Sequence, residues 1–184
     1  AGLNHVAHSV ADGIKQRITR QQSLERIKNE YPRFYEVLNK LQDFLQANPK
    51  VLSTLSEDTG LTKSQVLKYM DIKSPEGQII VETRYGDFGR SEYPLSWISK
   101  NLITKFESLQ TSKYIQGTSF LLAVTVLHEF VHWGRAYNTL PSFAPSNQWK
   151  ETDYGSYWEL RTFGAETGKN QATINLSYKY GWKF

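Results

Sequence analysis

The sequence predicts an α+β fold in which a helical N-terminal region precedes a small sheet packed on one long, apolar helix. Three observations lead to this fold class. Helical periodicity dominates residues 31–70, β-branched runs bounded by turn-forming residues occur between positions 78 and 99, and residues 118–137 form the most apolar stretch of the chain. The chain has 184 residues, enough for one sizeable core or two small ones.

The N-terminal region, residues 1–70, is expected to consist of helices. Valine and isoleucine recur every four positions over 6–18, which favours a short first helix that Gly13 weakens. Three stronger helices are predicted over 32–47, over 49–55 and, with Thr62 as the N-cap, over 64–70. No arrangement of residues typical of catalysis occurs in this region.

The second region, residues 71–184, contains the predicted sheet and the long helix. The predicted elements are strands over 78–83 and 95–99, a short helix over 102–110, the long helix over 118–137, a helix that begins at Tyr157 with Ser156 as its cap, and a strand over 173–180. No linker rich in Gly, Ser or Pro marks the division near residues 71–77. The two regions therefore either fold separately or form one compact unit.

Composition excludes several classes of function. The chain has no cysteine, which rules out disulfide scaffolds, thiol nucleophiles and thiolate metal sites. Its 22 basic and 18 acidic residues give a net charge of +4 without a polybasic patch, so no nucleic-acid partner is expected. No apolar run approaches the roughly 20 residues of a membrane span. Metal or covalent chemistry must therefore use histidine, carboxylates and hydroxyls.

The four histidines occur as two pairs, and the second pair forms a metal-binding motif. His128, Glu129 and His132 give the sequence H-E-x-x-H within the predicted long helix. Residues four positions apart lie on the same helix face, so both imidazoles can reach one zinc ion. Glu129 points aside from the metal axis and can act as the general base. The first pair, His5 and His8, is expected to lie on a solvated face.

A catalytic zinc ion usually has three protein ligands, so the motif needs a third. No histidine follows His132, and Arg135 and Asn138 stand where the longer motif H-E-x-x-H-x-x-G-x-x-H has Gly and His, which excludes that pattern. The third ligand is then a carboxylate, unless His5 or His8 supplies it. The downstream candidates are Glu151, Asp153, Glu159 and Glu166. Glu159 is favoured because the first turn of a packed helix would hold it rigidly.

These residues carry a resemblance to a known family. The run Leu127–Arg135, followed by Asn138 and by Asp153-x-Gly155-x-x-Trp158-Glu159, resembles the metallopeptidase domains found at the ends of bacterial polymorphic toxins. Those domains are gluzincin-type zincins, with H-E-x-x-H on one helix and a Glu ligand on a later helix. The resemblance extends over about residues 60–168 and is most specific over 127–166.

The resemblance implies a zincin-like fold and a zinc cofactor, with His128, His132 and Glu159 as ligands and Glu129 as the base. It departs from the thermolysin-like pattern where Phe163 replaces an Asp four residues beyond the ligand, so the sequence names no hydrogen-bond partner for the ligand imidazoles. Tyr157 and Tyr154 are the candidate donors for the developing oxyanion.

The predicted function is therefore a zinc-dependent endopeptidase that uses a metal-activated water and a Glu base, as in a bacterial secreted toxin or effector. Residues 77–85 or 95–99 would form an edge strand that pairs with an extended protein or peptide substrate. A cognate inhibitor or immunity protein is an expected partner, and delivery outside the producing cell is the expected localisation. Two alternatives are a non-catalytic zinc-stabilised interaction module and a precursor inhibited by residues 1–20.

Overall fold

The computed structural model describes residues 18–84, 88–144 and 152–184 and confirms the α+β fold class. The helices are α1 Arg20–Glu30, α2 Pro32–Ala47, α3 Pro49–Thr59, α4 Lys63–Met70, α5 Lys100–Ser108, α6 Ser112–Tyr137, α7 Tyr154–Phe163 and α8 Gln171–Lys179. The strands are β1 Ile79–Thr83, β2 Gly89–Glu92, β3 Leu95–Ser99, β4 Phe143–Ala144 and β5 Thr152–Asp153. The expected helix over 6–18 and the pair His5 and His8 lie outside the described residues, apart from position 18.

Local sequence signals explain the ends of the N-terminal helices. The predicted helix over 32–47 is confirmed as α2, with proline in its first turn. Thr62 caps α4 in a capping box with Gln65, each side chain bonding to the backbone of the other residue. Helix α3 extends beyond its predicted end at Leu55 and stops at Gly60, whose φ of 73° is the left-handed conformation that glycine adopts readily.

The small sheet has the order β1-β3-β2, with β1 parallel and β2 antiparallel to β3. The predicted strands over 78–83 and 95–99 are present as β1 and β3. The prediction that residues 95–99 form an edge strand is wrong, because β3 is the central strand of the sheet. No strand was predicted at the position of β2. Its sequence, Gly-Arg-Ser-Glu, is polar because one face of this edge strand meets solvent, so it lacks the apolar alternation of a half-buried strand.

Helix α6 is the centre of the molecule. Apolar side chains on all sides of it are buried, including Phe120, Val124, Leu127 and Phe130, and it contacts β2, β3 and five of the other helices. By length and composition alone α6 could cross a membrane, but 78% of its most apolar window is buried inside the protein. Burial all round is typical of a core helix.

The C-terminal segment corrects the prediction of a strand over 173–180, because these residues form most of helix α8. Asn170 caps α8 by accepting a hydrogen bond from the backbone N–H of Thr173. Thr173, Ile174 and Ser177 form its buried face, whereas Tyr178, part of the apolar alternation, is 62% exposed. Small residues on this face allow α8 to pack closely against α6.

The hydrophobic core of the described structure extends across the predicted division near residues 71–77. One hydrophobic cluster contains buried side chains from α2 and α3 together with those of α6 and α7. The ring of Phe44 packs edge-on against Phe120 at 6.2 Å, which joins α2 to α6. The N-terminal helices thus support the helix that contains H-E-x-x-H.

Candidate metal centre

The two motif histidines lie next to each other on α6. His128 and His132 are one turn apart, and their ring centroids are 5.3 Å from each other. Their side chains are 19% and 16% exposed, so both are accessible from a cleft while their helix is buried. Both imidazoles lie on one face of α6, as their spacing in the sequence predicts.

Asp153 brings a carboxylate to the outer nitrogens of both histidines. Its Oδ1 lies 3.1 Å from His128 Nε2, and its Oδ2 lies 2.7 Å from His132 Nε2. Asp153 is also the N-cap of α7, where Oδ1 accepts a hydrogen bond from the backbone N–H of Ser156 at 2.9 Å. Helix α7 therefore begins three residues before the predicted start, and the cap is Asp153 instead of Ser156.

Glu159 lies against the other nitrogen of His128. Its Oε1 is 2.8 Å from His128 Nδ1, and its Oε2 accepts hydrogen bonds from both the backbone N–H and the hydroxyl of Thr167, at 2.7 and 3.0 Å. The carboxylate is thus held by Thr167 and orients the imidazole ring. A carboxylate on the second nitrogen of a ligand histidine is a common partner in metal sites.

Burial and hydrogen bonding shift the ionisation of these groups. Burial would lower the pKa of His128, but the hydrogen bonds with Asp153 and Glu159 outweigh it and raise that pKa to about 10. Burial also opposes ionisation of Asp153, yet the two imidazoles hold the pKa of its carboxyl well below the usual range. Asp153 is thus a carboxylate at neutral pH, with the charge that a cation ligand needs.

Glu129 is the buried carboxyl of the motif, and Gly89 makes room for it. A Cβ atom on Gly89 would stand 2.6 Å from Glu129 Oε1, so a larger residue at the start of β2 would displace this carboxyl. Glu129 Oε2 is buried without a hydrogen-bond partner among the described residues. Burial raises the pKa of Glu129 to about 7, although both imidazoles oppose the shift. A base with a pKa near neutral suits proton transfer in both directions.

Gly155 allows helix α7 to reach the histidines. A Cβ atom at this position would lie 2.2 to 2.5 Å from three atoms of the His128 ring. Glycine in the first turn of α7 thus lets Asp153 and Glu159 approach His128 from the same helix. In the sequence motif Asp153-x-Gly155-x-x-Trp158-Glu159, the residue at position 155 must therefore lack a side chain.

A cleft of about 330 Å³ opens beside these groups. Its described lining residues are Phe88, Gly89, Thr125, His128, Glu129, Ser156, Glu159, Glu166 and Thr167. Tyr154 and Tyr157 are not among them: Arg135 stacks on the Tyr154 ring at 3.3 Å, and Tyr157 is 37% exposed. Glu166 is exposed at the cleft, and Glu151 lies outside the described residues.

The residues present fit a bound metal ion. His128, His132 and Asp153 each offer one ligand atom, and these atoms lie within 4.8 Å of one another. Two imidazole nitrogens and one carboxylate oxygen are donors that zinc and related divalent metals bind. Glu129 Oε2, which has no hydrogen-bond partner among the described residues, stands beside this group without belonging to it.

The sequence located the two histidines and Glu129 but gave Asp153, Gly89 and Thr167 no leading role. An Asp directly before a helix is an ordinary cap, so Asp153 was one of four candidate ligands but not the favoured one. Gly89 belonged to a run of turn formers, and Thr167 followed a helix end. The pattern Asp153-x-Gly155 was the available signal, since glycine in a first helical turn indicates close approach of another group.

Comparison with known proteins assigns the chain to a family. No curated protein and no solved structure matched the chain. The sequence matches the family described as metallopeptidase toxin 3 over residues 27–164, a span that includes α2 to α7 and every residue of the site described above except Thr167 and Glu166. The chain therefore belongs to the metallopeptidase toxin 3 family, a group of metal-dependent hydrolases within the polymorphic toxins.

Proposed function

We propose that this protein is a zinc-dependent endopeptidase in which His128, His132 and Asp153 hold the metal ion. The single observation that carries the proposal is the approach of the Asp153 carboxylate to Nε2 of both histidines. Asp153 replaces Glu159 as the proposed third ligand, because Glu159 contacts Nδ1, the nitrogen on the opposite side of the ring. Zinc is the proposed metal since a pair of histidines with one carboxylate is typical of catalytic zinc sites.

The remaining residues have distinct roles in this proposal. Glu129 takes a proton from the attacking water and returns it to the leaving amine. Glu159, fixed by Thr167, keeps His128 oriented toward the metal position. The metal ion, when bound, supplies a Lewis acid that polarises the scissile carbonyl and favours ionisation of water.

A second hydrogen-bond donor for the oxyanion is needed in the cleft. The tyrosines predicted for this role, Tyr154 and Tyr157, do not line the cleft in the described structure. Ser156 does line it, and its hydroxyl has no hydrogen bond to a described residue. We therefore assign the donor role to Ser156, while Arg135 and the two rings support the start of α7.

The geometry supports catalysis over a purely structural metal site. A structural zinc ion has four protein ligands, whereas the described group contains three. A buried carboxyl with one oxygen that no described residue hydrogen-bonds also costs free energy, and a purely structural site has no need of it. Family membership supports a protein substrate and delivery outside the producing cell. In this proposal, an immunity protein binds the enzyme and protects the producing cell.

Replacement of the base tests the proposal. The variant Glu129→Gln should keep the fold and bind zinc, because the amide is the same size and fits above Gly89. It should lose cleavage of casein by at least about 100-fold, since proton transfer contributes 10²- to 10⁴-fold to such reactions. Metal analysis and a casein assay on the zinc-loaded protein measure both properties.

The matched control is Glu25→Gln, the same chemical change at an exposed position of α1. It should leave casein cleavage unchanged. Equal activity of Glu129→Gln and the wild type would refute the assignment of Glu129 as the base. Wild-type protein that binds zinc but cleaves no unfolded substrate would refute the endopeptidase proposal itself.

A further inference from the structure

A second cavity lies along the same helix as the metal centre. It has a volume of about 400 Å³ and is bounded by α5, by the first half of α6 and by the segment that leads into α8. Its apolar lining includes Leu102, Leu109, Leu121 and Ile174. The floor is formed where α8 crosses α6, at Gly117, because a Cβ atom there would stand 2.5 Å from Ile174.

The rim of this cavity is positively charged. Lys105, Lys113 and Lys169 come to it from three different segments, and no described lining residue is acidic. None of the three lysines has an ion pair with a described carboxylate. The exposed ring of Tyr114 adds an aromatic surface at the same place. An occupant that complements this lining has apolar side chains between negative charges.

The cavity lies next to the catalytic cleft. On α6, Gly117 and Leu121 line the cavity, and Thr125 and Glu129, one to three turns further along the helix, line the cleft. On the opposite wall, Thr167 lines the cleft and Gly168 lines the cavity. The Lys169 ammonium lies 5.7 Å from the centroid of Phe88, which connects the two linings.

We infer that this second cavity is a subsite that binds an acidic, apolar segment of the substrate at a distance from the scissile bond. The inference rests on the proposed peptidase function and extends it to a substrate class. Leu121 lies eight residues before Glu129, a rise of about 12 Å along the helix. An extended peptide covers that distance with about four residues. The subsite therefore selects Asp or Glu next to Leu-like side chains about four to six residues from the cleavage point, on one side.

Cleavage of a degenerate peptide library tests the selection. Sequencing of the products by mass spectrometry should show acidic residues enriched at those positions on one side of the cut. The double variant Lys105→Glu/Lys113→Glu should reduce the ratio of kcat/KM for an acidic peptide over its glutamine counterpart by about three- to tenfold, since each exposed charge pair contributes modestly. High salt should reduce the same ratio in the wild type.

The matched control is Lys50→Glu/Lys63→Glu, which makes the same change in net charge at exposed positions of α3 and α4, away from the cavity. It should keep the wild-type ratio. An unchanged ratio in Lys105→Glu/Lys113→Glu, or an equal loss in the control, would overturn the subsite.

A binding measurement separates this inference from the proposed function. A fluorescent peptide with alternating Glu and Leu should bind the full chain carrying Glu129→Gln, and the two lysine reversals at the cavity should weaken that binding. Casein cleavage without such binding would overturn the subsite and leave the peptidase proposal standing. Binding without any cleavage by the wild type would refute the peptidase proposal and leave the peptide-binding site standing.

Discussion

The proposed roles of Asp153 and Glu159 differ because the two carboxylates face different nitrogens of the His128 imidazole. Both carboxylates approach His128, Asp153 at Nε2 and Glu159 at Nδ1. Only Asp153 also reaches His132, so it alone can share a metal ion with both rings. The motif spacing predicted the two histidines because helical geometry fixes them, whereas the third ligand depends on how α7 docks on α6.

Two conservative substitutions separate these roles. Asp153→Asn keeps an N-cap for α7, since asparagine caps helices as well as aspartate does, but removes the negative ligand. Glu159→Gln keeps an oxygen for Thr167 while weakening the hold on His128. We expect Glu159→Gln to lower zinc affinity about 10- to 100-fold, the usual effect of losing an outer partner, and Asp153→Asn to lower it further.

Competition against a chromophoric zinc chelator measures both affinities, and circular dichroism checks that each variant keeps its helices. Glu166→Gln serves as the control, because this exposed carboxylate lines the cleft without contacting either histidine. A greater loss in Glu159→Gln than in Asp153→Asn would return the ligand role to Glu159.

At the scale of elements, the sequence predicts what periodicity and capping determine. Helices α2, α4 and α6 and strands β1 and β3 follow from apolar spacing and turn residues, and Thr62 was predicted as the cap that the structure has. Strand β2 has no such signal because its residues are polar. Its strand conformation depends on the hydrogen bonds with β3. Helix α8 was predicted as a strand because an alternating run does not show that Asn170 begins a helix or that α8 packs on Gly117.

Helix α1 is joined to the sheet by one partly buried ion pair. The Arg26 guanidinium donates two hydrogen bonds to the Glu82 carboxylate of β1, at 2.6 and 2.5 Å. Burial would raise the pKa of Glu82, but the hydrogen bonds from Arg26 outweigh this and lower it. A bidentate pair of this kind fixes the angle between helix and strand as well as contributing free energy.

The lowered pKa of Glu82 predicts a pH-dependent contribution to stability. A carboxyl with a depressed folded-state pKa stabilises the protein above its unfolded pKa of about 4.3, and this contribution disappears as pH falls through the folded value. Arg26→Gln should therefore lower the free energy of unfolding by about 1 kcal/mol at pH 7. The difference from the wild type should shrink below about pH 4.

Urea unfolding at several pH values measures this dependence. Glu36→Gln is the control, since it removes the exposed pair with Lys40 on α2 and should change stability little at any pH. A constant difference between Arg26→Gln and the wild type from pH 7 to pH 3 would contradict the assigned ion pair.

At the scale of the whole molecule, the N-terminal helices hold the site in place. The hydroxyl of Thr54 on α3 accepts a hydrogen bond from Trp158 Nε1 and lies 2.7 Å from the hydroxyl of Thr162, and both partners belong to α7. Asp58, also on α3, pairs with Arg161 of α7 and accepts at its carbonyl from Arg135 of α6. Helix α3 thus bridges α6, which contains both histidines of the motif, and α7, which Asp153 caps.

This arrangement predicts that residues 71–184 cannot form the site alone. Without α2 and α3, Phe120, Val124 and Trp158 would lose neighbours that bury them completely, and the bridge between α6 and α7 would be absent. We expect a fragment of residues 71–184 to unfold without a cooperative transition and to bind zinc at least about 100-fold more weakly, because metal affinity depends on a preformed site.

The comparison is a chain of residues 18–184, which retains all the contacts described above and should show one cooperative transition. Far-UV circular dichroism during thermal unfolding and zinc competition measure both proteins under the same conditions. Cooperative unfolding and wild-type zinc affinity of the 71–184 fragment would mean that two separate domains exist. Loss of both properties in the 71–184 fragment, with both preserved in residues 18–184, would show that the N-terminal helices and the rest of the chain form one cooperative unit on which zinc binding depends.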